Sequence, residues 1–293
     1  MKKVIFAGLG AMGWPMASNM LASGIDVTPC DVDIERVERF ERQGGTKGDL
    51  ENHLPAADGL FVMVVNAEQV RSLLFDGDMV KRLKPGACIV QMSTVSPGES
   101  ARISHEVEAV RDDLHYVDAP VSGGVVGAQQ GSLTIMAAGH PDALAACRGT
   151  FEVLGGAIFH AGDRAGQGAA FKAVNQLLCG VHIAAAAEAL ALAEKNGLNL
   201  EVMVEMLGGS SASSWMLKDR GPRMILPPEE ITSVVDIFCK DLGIVCESAK
   251  QSRAYTPLAH AAYQLFVASS ERGEGKLDDS QVIQTYRLLN GKG

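Results

Sequence analysis

Residues 4–7 form a short apolar run that ends in Gly8-Leu9-Gly10-Ala11-Met12-Gly13, and a helical segment follows to about Ser23. A strand, a glycine turn and a helix in that order constrain the chain strongly. Such a βα unit brings free backbone N–H groups and the positive end of a helix dipole to one point, where a phosphate can bind. In the G-x-G-x-x-G spacing Gly8 permits the tight turn, Gly10 lets a pyrophosphate approach the backbone, and Gly13 allows the helix to pack closely on the strand. Pro15 falls in the first helical turn, where no intrahelical donor is lost. A glycine-rich turn without a ligand is the bland alternative, and the strand–turn–helix context argues against it.

The same alternation continues down the chain. Residues 25–30 read as a second strand ending in Asp31, residues 34–43 as a helix, and residues 60–65 as a strand buried on both faces. A helix near 67–75 and a strand at 88–92 come next, with further alternation over 100–110, 116–117, 133–137, 141–154 and 157–160. Strands and helices at this spacing predict an α/β, Rossmann-type, doubly wound parallel sheet. After Gly162 the strand signal stops. Helices are expected over 166–196, 201–207, 215–220, 233–251, 257–272 and 279–289. The expected organisation is therefore an NAD-binding domain over 1–163 and an all-α substrate and oligomerisation domain over 164–293.

Asp31 stands 18 residues after Gly13, at the end of the second strand. A carboxylate there can accept hydrogen bonds from the adenosine ribose hydroxyls and would repel a 2′-phosphate, which favours NAD over NADP. A plain turn aspartate is the competing reading. Three further loops follow strand-like runs, where open α/β sheets place ligands: 65–67 with Asn66, 92–97 with Thr94, and 118–124 with Ser122, Gly123 and Gly124. The last offers consecutive N–H groups and a hydroxyl, a fair receptacle for a carboxylate.

The stretch from Gly166 to Asn196 reads as one helix of about 30 residues, roughly 45 Å long. From Leu177 to Ala193 only His182 and Glu188 are polar, so the helix is expected at the centre of a helical domain. As a membrane span it is short and carries two ionisable groups. At its start Lys172, Asn175 and Gln176 stand at i, i+3 and i+4, on one face. A lysine buried there would lose much of its hydration, a cost unless its charge or proton is used. A helix start that surfaces briefly, with Lys172 solvated, is the alternative. His182 reads as a packed core residue.

The formal net charge of -9 argues against nucleic acid or an anionic membrane as partner. The six cysteines form no CxxC pair and no metal-ligand spacing, so they read as reduced core residues and no metal is expected. Met1-Lys2-Lys3 runs straight into a strand with no signal-peptide pattern, which suggests a cytoplasmic protein.

The chain resembles the β-hydroxyacid dehydrogenase family, the 3-hydroxyisobutyrate dehydrogenases, tartronate semialdehyde reductases and their relatives, with 6-phosphogluconate dehydrogenase more distant. Four motifs in order carry the resemblance: Gly8 through Asn19 is similar to the cofactor signature, Asp118 through Gly124 to the substrate loop, Gly166 through Gln176 to the catalytic helix start, and Lys240-Asp241-Leu242 to a C-terminal cofactor motif. The family usually has Asn-Asn where this chain has Asn175-Gln176, and an aromatic residue where it has Ser233. The Asn175-Gln176 sequence with the alanine run beyond it most resembles the L-threonate dehydrogenase branch.

The resemblance implies an NAD-dependent oxidation of a short hydroxy acid. Lys172 would be the general acid/base, Gly8, Leu9, Gly10, Ala11, Met12, Gly13, Asp31, Asn66, Thr94 and Lys240 would hold the cofactor, and Ser122, Gly123, Gly124, Asn175 and Gln176 the substrate. A four-carbon sugar acid such as L-threonate is the expected substrate. 3-Hydroxyisobutyrate or tartronate semialdehyde are the alternatives, and decarboxylation after oxidation is a lesser one. A homodimer or homotetramer is expected. The rival from another class is an NAD(H)-sensing module, which would need the same glycines but not Lys172 or the 122–124 loop.

Overall fold

The computed structural model describes residues 1–291. It divides into two compact units, Met1–Lys172 and a second from Ala173 onward.

The first unit contains, in chain order, β1 (Lys3–Ala7), α1 (Gly13–Ala22), β2 (Asp26–Cys30), α2 (Ile34–Arg42), α3 (Leu50–His53), β3 (Gly59–Val62), α4 (Ala67–Arg71), α5 (Met79–Arg82), β4 (Cys88–Gln91), α6 (Pro97–Val110), β5 (His115–Asp118), β6 (Val121–Ser122), α7 (Gly124–Gln130), β7 (Leu133–Ala138), α8 (Pro141–Leu154) and β8 (Gly155–Gly162). The sheet order is β2-β1-β3-β4-β5-β7-β6, with β8 on β7. Strands β1 to β5 are parallel, as expected for buried apolar runs joined by helices. Beyond β5 the sheet becomes mixed, because β7 runs antiparallel to β5 and β6. Only residues 123–132 separate β6 from β7, fewer than the dozen or so that a parallel crossover needs. Helix α8 is long enough for a crossover, and β8 returns parallel to β7.

Alternation within the strands splits the core into two layers. Phe6, Phe61, Val90 and Val117 face Met16, Met20 and Phe151 on one side of the sheet. Ile5, Leu60, Ile89 and Tyr116 face Leu74, Val80, Ile103 and Val107 on the other. Each fully buried aliphatic or aromatic side chain contributes about 1.5–3 kcal/mol relative to exposure. The layers therefore fix the strands whose C-terminal ends carry the loops of interest.

Helix α9 (Gln167–Lys195) opens in the first unit and runs on as the spine of the second, where α10 (Leu200–Gly209), α11 (Trp215–Ile225), α12 (Val235–Ser252), α13 (Pro257–Ser269) and α14 (Ile283–Leu289) join it. Ile183, Ala187 and Leu190 pack with Leu217, Met224, Phe238, Leu242, Phe266 and Ile283. A Cβ on Gly180 would stand 2.7 Å from a Leu242 methyl, so this glycine lets α12 lie tightly on α9. By length and composition alone α9 could cross a membrane, but 56% of its apolar window is buried inside the protein. Burial is not complete all round, because Val174, Leu178 and Leu192 remain 65%, 49% and 63% exposed. The helix expected over 257–272 is α-helical to Ser269 and continues as a π-turn from Ser270, which breaks at Gly273 with φ 86°. The one expected over 279–289 begins with a 3-10 turn over Asp279–Val282.

That turn is pinned by charge. Arg220 on α11 donates to both oxygens of the fully buried Asp279, at 2.8 Å from Nε and 2.9 Å from Nη2, and also to Asp219. The Ser233 carbonyl accepts from the Asp279 amide at 3.1 Å; burial raises the Asp279 carboxyl above its ordinary value, although Arg220 pulls the other way. Ser233 therefore serves this network.

Candidate active site

In the first unit the parallel strands β1 to β5 end along one edge, and five of the sequence-derived segments lie there. The glycine turn follows β1. Gly8 adopts φ +95°, and a Cβ there would overlap the Met63 carbonyl oxygen after β3. A Cβ on Gly13 would overlap the Gly8 carbonyl oxygen. Both are glycine because protein backbone lies against them. Gly10 differs, since a Cβ there would meet nothing within 4 Å. Helix α1 begins beyond Met12 with no side-chain cap and no acidic residue in its first turn. Its N-terminal N–H groups and dipole suit a phosphate. Leu9, Ala11 and Met12 complete this turn.

Asp31, just past β2, is tied to the turn. Its Oδ2 accepts from the Leu9 amide at 2.6 Å and its Oδ1 from the Asp33 amide at 2.9 Å. Each carboxylate oxygen retains a further lone pair for a ribose hydroxyl, so the residue both shapes the turn and can read the ribose. Asn66, beyond β3, caps α4 by accepting from the Gln69 amide at 2.9 Å, which commits its carbonyl and leaves its NH2 group. Thr94 follows β4 and is half-buried. Its neighbour Ser93, which the sequence did not single out, holds the loop after β3 by accepting from the Val64 amide at 2.9 Å.

Ser122 ends β6, paired opposite Thr134. Gly123 and Gly124 follow at φ +132° and +62°, conformations that L side chains rarely adopt. Gly124 has open space where a Cβ would be. The succession of amides leading into α7 keeps the character of an anion receptacle.

The start of α9 is fixed by a residue that sequence reasoning quoted without a role. Asp118, at the end of β5, is fully buried and accepts from the Gly166 amide at 2.8 Å and the Ala169 amide at 2.9 Å. Burial pushes its carboxyl up to about 6, although these amides pull the other way. Lys172 lies one turn further on and is 6% exposed. The solvated-lysine alternative is thereby set aside.

In the second unit Asn175 and Gln176 continue the polar face of α9. The Cys179 thiol donates to Asn175 Oδ1 at 3.7 Å. Gln176 is 7% exposed, and its Nε2 donates to Asp241 Oδ2 at 2.5 Å. The amide orientation follows from the chemistry, since a carboxylate only accepts. Lys240 Nζ stands 3.0 Å from the other oxygen of Asp241. Asp241 belongs to the Lys240-Asp241-Leu242 motif, yet its part in holding Gln176 was missed. Among the described residues no cluster of His, Cys, Asp or Glu could hold a metal ion.

The glycines can be separated by experiment. Gly13→Ala is expected to lower thermal stability, since overpacking of this kind costs about 1–3 kcal/mol. Gly10→Ala should melt like the parent yet bind NADH at least about tenfold more weakly, or ~1.4 kcal/mol. Unchanged affinity, measured by NADH fluorescence titration, would release Gly10 from the cofactor.

Comparisons with known proteins give the family. Residues 3–162 match the family model described as the NAD binding domain of 6-phosphogluconate dehydrogenase, and residues 166–286 that described as NAD-binding of NADP-dependent 3-hydroxyisobutyrate dehydrogenase. An L-threonate dehydrogenase of Cupriavidus necator is 36% identical over 95% of this chain and 94% of its own. A 2-(hydroxymethyl)glutarate dehydrogenase of Eubacterium barkeri is 35% identical over 99% of this chain and 96% of its own. The crystal structure of a 3-hydroxyisobutyrate dehydrogenase from Salmonella typhimurium superposes with a TM-score of 0.89 at 36% identity, covering 97% of this chain and 99% of that one. A Rossmann-type unit with a dinucleotide turn, a helical unit after it and full-length relatives of one kind place the chain in the 3-hydroxyisobutyrate dehydrogenase-like family of NAD-dependent hydroxyacid dehydrogenases.

Proposed function

We propose that the chain oxidises L-threonate or a closely related four-carbon sugar acid, with Lys172 as general acid/base. The observation that carries this reading is the polar face of α9, on which Lys172 and Gln176 are 6% and 7% exposed in an otherwise apolar helix. NAD, bound through the glycine turn and Asp31, supplies the hydride acceptor. Asn66, Thr94 and Lys240 are proposed to complete its binding. Ser122 and the amides of Gly123 and Gly124 hold the substrate carboxylate. Lys172 takes the proton from the hydroxyl as the C–H bond breaks, and returns it in the reverse direction.

Asn175 and Gln176 divide the work of reading hydroxyls. The Asn175 carbonyl is engaged by Cys179, which leaves its NH2 group as a donor. The Gln176 NH2 group is engaged by Asp241, which leaves its carbonyl as an acceptor. One donor and one acceptor suit a substrate with hydroxyls beside the reacting carbon. A branched apolar acid would leave them unpaired, at a cost of about 1–3 kcal/mol per buried group. L-Threonate dehydrogenases among the relatives at 35–36% identity support the same choice. A homodimer or homotetramer that buries the exposed Val174, Leu178 and Leu192 stripe, and a cytoplasmic location, belong to the same proposal.

Steady-state kinetics with saturating NAD test the substrate. kcat/KM for L-threonate is expected to exceed that for 3-hydroxyisobutyrate by at least about tenfold, equivalent to about 1.4 kcal/mol. Equal or reversed preference would sink the sugar-acid reading and leave the family and cofactor in place.

A further inference from the structure

The first turn of α9 is anchored more firmly than a helix of this length needs for its own stability. Gly166 sits at φ +92°, and a Cβ there would come within 2.8 Å of the Pro97 carbonyl oxygen. A Cβ on Gly168 would overlap the Asp118 carbonyl oxygen and stand 2.5 Å from that of Met136. Two glycines thus let the helix start press its backbone onto the end of β5, onto Met136 within β7 and onto the start of α6. Into this contact projects one carboxylate. Asp118 Oδ2 takes the amides of Gly166 and Ala169, while Oδ1 lies in a buried group with the Ser100 and Tyr116 hydroxyls.

An exposed Ser, Thr or Asn would cap a helix without the cost of removing a carboxylate from water. A buried carboxylate aimed at two amides gives something else, a short and directional clamp. The clamp sits at the end of β5, on the sheet edge that carries the glycine turn. Ala169 and Lys172 stand at i and i+3, so fixing the Ala169 amide fixes the turn that bears the lysine.

We propose that Asp118 is the positioning residue for Lys172: by clamping the amides of Gly166 and Ala169 it sets the lysine's reach relative to the cofactor edge of the sheet. The inference rests on the reading of Lys172 as proton carrier. Its physical content is geometric, since a misplacement of about 1 Å in a reacting group can cost about 10²-fold in rate.

The test uses the full chain with NAD and the best hydroxy acid from the substrate comparison. Asp118→Ala is expected to lower kcat by about 10²-fold with NADH affinity unchanged. Asp118→Asn, whose carbonyl oxygen can accept the same two amides, should restore kcat to within about fivefold of the parent, because the role is geometric. Where Lys172 is already alanine, Asp118→Ala should add no further loss, because residues that act as a unit are non-additive. Should Asp118→Ala fail to fold, Asp118→Ser, too short to reach both amides, takes its place. A normal kcat in Asp118→Ala beside an inactive Lys172→Ala would overturn this inference alone. So would equal losses in the Ala and Asn variants that follow loss of NADH affinity, or an additive loss in the double variant. A fully active Lys172→Ala would instead remove the lysine reading, and this inference with it.

Discussion

Replacing Lys172 by alanine is expected to cut kcat by roughly 10²–10⁴-fold, the usual range for loss of a general acid–base. The reasoning starts from where the side chain is. Lys172 is 6% exposed, at the start of a helix that is apolar for most of its length, and burying a lysine there is costly unless the amine is used. Its backbone leaves directly from the Asp118 clamp, so the amine is held by a rigid element. The glycine turn and Asp31, which are proposed to carry the cofactor, do not depend on Lys172, so NADH affinity should hardly change. The loss should appear in kcat and kcat/KM alike, as for an interaction made only in the transition state. A variant that loses NADH binding but keeps its turnover per bound enzyme would remove Lys172 from the chemistry.

How much of this was legible beforehand depends on how local each feature is. The glycine turn was readable because its demands are backbone demands, φ +95° at Gly8 and the collision a side chain on Gly13 would cause. Strands β1 to β5 were readable because a strand buried on both faces is a continuous apolar run. The reversal at β7 was not, since the run over 133–137 looks the same in either direction and only the short connection before it decides. Asp118 could be quoted as part of a loop, but its partners lie 48 and 51 residues away. Gln176 and Asp241 are 65 residues apart, so a departure from the family pattern could be seen while the carboxylate that accommodates it could not.

The Asp279 network carries the largest expected effect on stability. Asp279→Ala should destabilise the helical unit by about 3–5 kcal/mol, as breaking a buried ion pair leaves a charge without its partner. Asp279 is fully buried and Arg220 is 8% exposed, with both carboxylate oxygens engaged by the guanidinium. A guanidinium does not deprotonate in a protein, so the alanine variant cannot escape the cost by shedding a proton. Asp219 would still contact Arg220, which offsets part of the loss but lies on the helix side of the network. Replacing both members, as in Arg220→Met with Asp279→Leu, should cost much less, because an apolar pair of similar volume removes the desolvation problem as well as the attraction. The exposed pair Arg148–Glu152, with side chains 78% and 57% accessible, provides the contrast. Arg148→Ala should change stability by less than about 1 kcal/mol. Urea unfolding followed by tryptophan fluorescence, from Trp14 in the first unit and from Trp215 on the same helix as Arg220, measures all three. A single Asp279→Ala variant as stable as the parent would mean that Asp219 alone satisfies Arg220 and that the turn over Asp279–Val282 holds without its clamp.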